Sequence, residues 1–228
     1  MYLYDYQRTT LNKIRFRGRS FIVHGPRRIG MDIMMTNHIL LSASDIYESD
    51  IAVICPRQDI ATEFCTRKLP IALFDAKQVG YAMFDHSLEI THNERGRITL
   101  SNGSNIRVVS AGAFGNIGCD LNWLKGVEIA VIDSSNLINN MDVILAELSQ
   151  CKVSTIIITL TGSMDVVTNK LYVDSIKGKN DFEYIRIPID VLPKPAYNKM
   201  IEMKDTVSDD VWNHDMELIP NIEREPIP

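Results

Sequence analysis

The chain has little of what marks several protein classes. Its four cysteines, Cys55, Cys65, Cys119 and Cys151, are scattered. None forms a C-x-x-C pair, so the usual zinc spacings are missing. Cys55 and Cys151 sit by apolar runs as small packing groups, in keeping with a reducing compartment. Positive charge is not in surplus: a net charge of −5 gives no overall case for nucleic-acid binding. No apolar run nears the length of a bilayer span. The opening Met1-Tyr2-Leu3-Tyr4-Asp5 lacks the basic start and apolar core of a secretory signal. There is no internal repeat and no low-complexity tract.

What is present suits one large α/β domain, with or without a small appendage. The 228 residues are 45% hydrophobic, enough to bury a core. Charge is uneven. Arg8, Lys13, Arg15, Arg17, Arg19, Arg27 and Arg28 make the first thirty residues basic, and Glu202, Asp205, Asp209, Asp210, Asp215, Glu217, Glu223 and Glu225 make the end acidic. Each patch reads equally as a solvated face or a binding surface.

Hydrophobic pattern predicts helices over 6–16, 31–43, 57–69, 141–150 and 165–177. Buried strands are predicted at 20–24, 51–54, 127–132, 154–160 and 184–187. The run Arg97–Leu100, the turn Ser101-Asn102-Gly103-Ser104 and the run Asn105–Val109 form a hairpin signal inside an antiparallel stretch, 88–109. Residues 111–126 read as a Gly-rich loop. Buried strands alternating with helices imply a mostly parallel sheet covered on both faces. After Pro188 the chain reads as a looser, acidic, Pro-containing extension with one helix near 208–217. The division is therefore 1–187 and 188–228.

The segment Gly25-Pro26-Arg27-Arg28-Ile29-Gly30-Met31-Asp32 lies between the strand at 20–24 and the helix at 31–43. It keeps the strand–loop–helix context and the G-x-x-x-x-G frame of a phosphate-binding loop. In such a loop a Lys then contacts phosphate and a Ser or Thr hydroxyl binds Mg²⁺. Here those positions are Met31 and Asp32. A carboxylate about 4 Å from a phosphate, at an effective dielectric of about 20, costs roughly 4 kcal/mol. The favoured reading of Asp32 is a cap for the helix that follows. Arg27 and Arg28 remain as anion-binding groups or as partners of acidic neighbours. His24, just before the loop, reads as a packed strand-end residue more readily than as a ligand contact.

The second element is Val127-Glu128-Ile129-Ala130-Val131-Ile132-Asp133-Ser134. An apolar strand ending in an acid describes a Walker B strand, with Asp133 placed to hold Mg²⁺ if Mg-nucleotide binds. The glutamate that polarises water in working ATPases is replaced by Ser134, a poor general base without a partner.

With these motifs in order, the chain resembles the ATPase domain of tailed-phage large terminases, the motors that package DNA. The resemblance covers most of residues 3–187. Tyr4-Asp5-Tyr6-Gln7-Arg8 resembles the adenine-contacting Q motif, and Arg27-Arg28-Ile29-Gly30 resembles the terminase phosphate loop. Ile51-Ala52-Val53-Ile54-Cys55-Pro56 resembles the next strand–helix unit. Ile98-Thr99-Leu100-Ser101-Asn102-Gly103-Ser104-Asn105-Ile106 resembles the hairpin before Walker B. Ile156-Ile157-Ile158-Thr159-Leu160-Thr161 resembles the coupling strand with its Thr-rich end.

The resemblance implies a P-loop NTPase-like fold of the ASCE/RecA type with an antiparallel hairpin insertion. It implies a nucleotide site at Gln7, Gly25, Arg27, Arg28, Gly30, Met31, Asp32, Thr159 and Thr161, with Asp133 as the metal residue. The departures are systematic: Met31-Asp32 for Lys-Thr, Ser134 for Glu, and no Arg in Phe114-Gly115-Asn116-Ile117-Gly118-Cys119. Gly162-Ser163-Met164 replaces the family's segment after the Thr-rich strand end. The nuclease half of a large terminase is expected to be absent.

The expectation is a catalytically degenerate, binding or structural domain in packaging or virion assembly, with no catalytic residue and no cofactor. Its expected partners are terminase, portal or another assembly component, with double-stranded DNA as a further candidate and no membrane. Its expected place is the host cytoplasm during infection, with virion association as a second setting. The first alternative is an active subunit that uses ATP and Mg²⁺, with Arg27 or Arg28 replacing the Lys. The second is a DNA-binding module on the basic N-terminal face.

Overall fold

The computed structural model describes residues 3–15, 18–26, 29–79, 84–94, 96–114, 122–134, 140–161, 166–209 and 212–213. Among the described residues, eight strands form one sheet: β1 (Ser20–His24), β2 (Asp50–Cys55), β3 (Ile90–Glu94), β4 (Arg97–Leu100), β5 (Asn105–Ser110), β6 (Ile129–Asp133), β7 (Thr155–Leu160) and β8 (Phe182–Arg186). Their spatial order is β3-β4-β5-β2-β6-β7-β1-β8. The pairs among β5, β2, β6, β7, β1 and β8 are parallel, while β3-β4-β5 is antiparallel. This is the parallel sheet with an antiparallel insertion that the pattern predicts. β7 lies between the loop-bearing strand β1 and the acid-ended strand β6, so the site spans three neighbouring strand ends.

The strands' two-residue side-chain period divides the interior into two cores. Phe21, Val23, Ile51, Val53, Val131 and Ile157 face one layer of helices. That layer holds α1 (Asp5–Ile14), α2 (Met31–Asp45), α3 (Gln58–Glu63), α4 (Leu69–Val79) and α7 (Lys194–Glu202). Ile22, Ile54, Ile132 and Ile158 face α5 (Met141–Gln150) and α6 (Val166–Ile176), through Met141, Ile144, Leu148 and Tyr172.

The helix predicted over 57–69 runs further than its pattern suggests. α3 passes through a π turn, Phe64–Lys68, directly into α4. Pro70 explains the change of frame. It has no N–H to return to the carbonyl four residues back, so the chain widens ahead of it rather than stopping. The hairpin at Ser101–Ser104 forms as predicted. The Leu100 N–H donates to Ser104 O at 2.9 Å, and Gly103 takes the left-handed φ of 85° that the turn needs.

The described residues after Pro188 are less loose than their composition suggests. They form α7, and Leu192, Met200 and Trp212 join the first core. The helix expected near 208–217 falls largely outside the described residues. Among the described residues, no helix is long and apolar enough to cross a membrane.

Candidate functional site

β1 leaves the sheet at His24, and the Gly25 N–H donates to Leu160 O of β7 at 3.2 Å. The loop ends at Gly30, whose φ of 76° is left-handed and whose position caps α2. A side chain there would be strained, and its Cβ would stand 2.9 Å from Gln7 Nε2. At Gly25 an added Cβ would run into Ile29 Cδ1 and lie 3.3 Å from Met31 Cε. Two apolar side chains therefore pack over the first glycine. Ile29 and Met31 are both buried.

α1 braces the loop from outside the sheet. The Tyr6 hydroxyl donates to Ile29 O at 2.5 Å, and Gln7 Nε2 donates to Ile29 O and Gly30 O, each at 3.3 Å. Gln7 Oε1 accepts the Tyr4 N–H at 3.0 Å, which also satisfies an orphan donor at the start of α1. Gln7 is 3% exposed, with both ends of its amide bonded to backbone. Burial, then the neighbouring Tyr4, pushes the Tyr6 hydroxyl up to about 12, so it stays a donor at neutral pH.

Asp32 is not the helix cap. α2 starts at Met31 with Gly30 in the cap position, so Asp32 lies past the cap, in the first turn of the helix. Its Oδ2 instead meets Lys68 Nζ at 2.6 Å. Lys68 ends the π turn and its side chain is 24% exposed. Burial, the largest influence on this ammonium, disfavours its charge. The hydrogen bond and charge of Asp32, then Glu63 and Asp133, outweigh burial and raise its pKa.

Asp133 ends β6 in register with Thr159 of β7. Ser134 Oγ donates to Thr159 O at 2.6 Å, and its N–H donates to the same oxygen at 3.1 Å. Thr159 Oγ1 bonds Ile132 O at 3.3 Å. Ser134 and Thr159 are thus tied to strand-end backbone. A cavity of about 40 Å³ remains between α2, the π turn and the strand ends, lined among others by Met31, Asp32, Cys55, Lys68, Asp133 and Thr159. Such a space holds a few waters, far below the volume of a nucleotide pocket. Burial, then Asp133, pushes the Cys55 thiol in its wall up to about 12, which leaves it protonated and inert.

The structure therefore gathers Met31, Asp32, Asp133 and Thr159 around one cavity, with Gly25, Gly30 and Gln7 at the adjoining loop. Thr161 follows β7 and is half-buried, away from the cavity lining. Arg27 and Arg28, like Gly118 and Gly162-Ser163-Met164, lie outside the described residues. Sequence reading missed Lys68 and Tyr6. Lys68 sits 36 positions from Asp32, in a helix pattern that gives no sign of the π turn that carries it. Tyr6 stands beside Gln7 in a motif whose glutamine drew the attention.

The strand order, with one strand between the loop strand and the acid-ended strand, is that of a P-loop NTPase-like fold of the ASCE/RecA type. Solved structures place it more closely. The large terminase of a thermophilic bacteriophage matches with a TM-score of 0.64 at 13% identity, over 95% of this chain and 53% of that one. The large terminase of bacteriophage HK97 matches with a TM-score of 0.63 at 11% identity, over 96% of this chain and 50% of that one. The isolated ATPase domain of the Thermus phage P74-26 large terminase matches with a TM-score of 0.60 at 15% identity, over 90% of each chain. The fold is that of a large-terminase ATPase domain, and the chain spans about half the length of the whole terminases. No protein-family model matches the sequence, and no curated protein sequence does either.

Proposed function

We propose that this chain is a terminase-fold domain without ATP hydrolysis, acting as a binding or structural component of phage DNA packaging or virion assembly. The observation that carries the reading is the Asp32–Lys68 pair at 2.6 Å. Where the fold calls for a Lys that grips phosphate and a hydroxyl that binds Mg²⁺, this chain has an uncharged Met31 and a carboxylate already bound to an ammonium. Ile29 and Met31 fill space over Gly25. Ser134, in the position of the general base, gives its hydroxyl to Thr159 O. These residues do not fit Mg-ATP, although a structure of the thermophilic-phage terminase holds ADP. The partners suited to such a domain are other packaging or virion proteins, such as terminase or portal. Its setting is the infected cell.

The test is ATP turnover by the pure protein with Mg²⁺, beside Asp133→Ala. We expect no release of phosphate above that of the variant. Turnover that disappears in Asp133→Ala would overturn the proposal.

A further inference from the structure

The fold puts two carboxylates, Asp32 and Asp133, on the wall of one small cavity. Asp32 is exposed and Asp133 half-buried, and two like charges sharing one small cavity favour a positive charge beside them. In a working phosphate loop that charge comes partly from a divalent metal, held by the hydroxyl at position 32 and the acid at the end of the Walker B strand. Here the hydroxyl is itself a second acid. An ammonium reaches it from another element: Lys68 Nζ lies 2.6 Å from Asp32 Oδ2 and lines the same cavity as Asp133.

The way Lys68 is held supports a fixed role. The π turn ends with the Leu69 N–H on Phe64 O, a span of five residues. Phe64, Cys65 and Leu69 are buried, which pins the turn against the core. Asn93 Nδ2 of β3 donates to Cys65 O at 3.1 Å and anchors it from the other side. Single π turns inside α-helices are frequent at functional sites. The nearby Arg67 does not compete for Asp32, because its guanidinium pairs with Glu63 at 2.5 Å.

We infer that Lys68, tethered to Asp32 on a cavity that Asp133 also lines, stands in place of a divalent metal there and makes the site independent of metal. This goes beyond loss of turnover, because it concerns metal rather than nucleotide. Paired with Asp32 at 2.6 Å, Lys68 serves a carboxylate and is not a replacement phosphate grip. Removing its charge takes the ammonium from Asp32 on a cavity that Asp133 also lines. One or two carboxylates with several waters is the ligand set that Mg²⁺ and Mn²⁺ accept.

The experiment uses the full chain without nucleotide and reads Mn²⁺ binding by electron paramagnetic resonance and melting temperature with Mg²⁺ or EDTA. The native chain is expected to bind no Mn²⁺ that Asp133→Asn releases, and to melt at one temperature in Mg²⁺ and in EDTA. Lys68→Met keeps the stem and removes the charge. It is expected to gain one Mn²⁺, bound at least about tenfold more tightly than by the native chain. Adding Asp133→Asn should abolish the gain. Lys68→Gln serves the same purpose if the methionine variant does not fold. The inference is overturned if the native chain binds Mn²⁺ through Asp133 or is stabilised by Mg²⁺. It is also overturned if a folded Lys68 variant gains no metal. ATP turnover does not enter any of these readings, so the functional proposal and this one fail separately.

Discussion

At the scale of the residue, the site is decided by a few charged side chains whose partners are distant in sequence. Lys68 has the clearest consequence in solution. Its pKa is raised above the ordinary lysine value, against the effect of burial, by Asp32, Glu63 and Asp133. A group with a raised folded-state pKa gives stability that is fully present below its unfolded value, about 10.4 for lysine. That stability is lost as pH rises through the folded value. Tyr6, raised to about 12, loses its contribution in the same alkaline window. The informative quantity is therefore a difference between proteins. In urea unfolding followed from neutral pH to beyond pH of about 10.4, the native chain should lose more stability than Lys68→Met. Equal losses would mean that the Asp32–Lys68 pair contributes nothing to folding.

Residues also mark the limit of what motifs convey. Gly25 and Gly30 were legible because a glycine frame states a backbone need directly, and Gly30 has the left-handed φ. Asp32 was legible as a departure but not in its role. An acid at the start of a helix reads as a cap until the register of the first turn is known. Gln7 fits an adenine-contacting motif by sequence, yet its amide is spent on Tyr4, Ile29 and Gly30 backbone.

At the scale of the element, the hairpin and α2 are joined by one buried hydroxyl. Ser104 Oγ is fully buried. It lies 3.2 Å from Ala43 O, 2.9 Å from Ile46 O, 3.1 Å from Ser49 Oγ and 3.2 Å from the Ser49 N–H. Asn102 Nδ2 adds a bond to Ala43 O at 2.6 Å. The turn thus closes off the end of α2 and the start of β2. Ser104→Ala leaves buried polar groups without that partner and should cost about 1–3 kcal/mol. Chemical denaturation measures it; a loss below about 0.5 kcal/mol would show that the neighbours re-pair. The turn itself was plain in Asn102-Gly103. Its docking was not, because side-chain bonds across 55 to 61 positions leave no periodicity in the sequence. The π turn was hidden for a related reason: an inserted residue shifts helix phase without changing composition.

At the scale of the whole molecule, the sheet puts an apolar core on each face, and the described residues past Pro188 return to the first of them. Trp212 is 2% exposed and packs in the core that also holds Met34, Val53 and Leu69. Trp212→Ala should destabilise the protein by about 3–5 kcal/mol. The unfolding transition should stay single when followed by circular dichroism and by the remaining Trp123 fluorescence. Two separate transitions, or a cost under about 1 kcal/mol, would mark the segment after Pro188 as an independent appendage.

The sequence by itself determined the parallel strands, the hairpin and the glycine frame of the loop. These follow from local rules: side-chain period, turn chemistry and backbone freedom. It also marked where the letters depart from the terminase pattern the chain resembles, since Met31, Asp32 and Ser134 are read directly. Only the tertiary structure decided what the altered letters do. Asp32 meets Lys68 because two helices pack over β2 and the π turn aims one side chain at the other, while Ser134 is tied to a strand residue 25 positions further on. Charge pairs between distant elements depend on where the sheet puts its strand ends, and no local pattern encodes that distance.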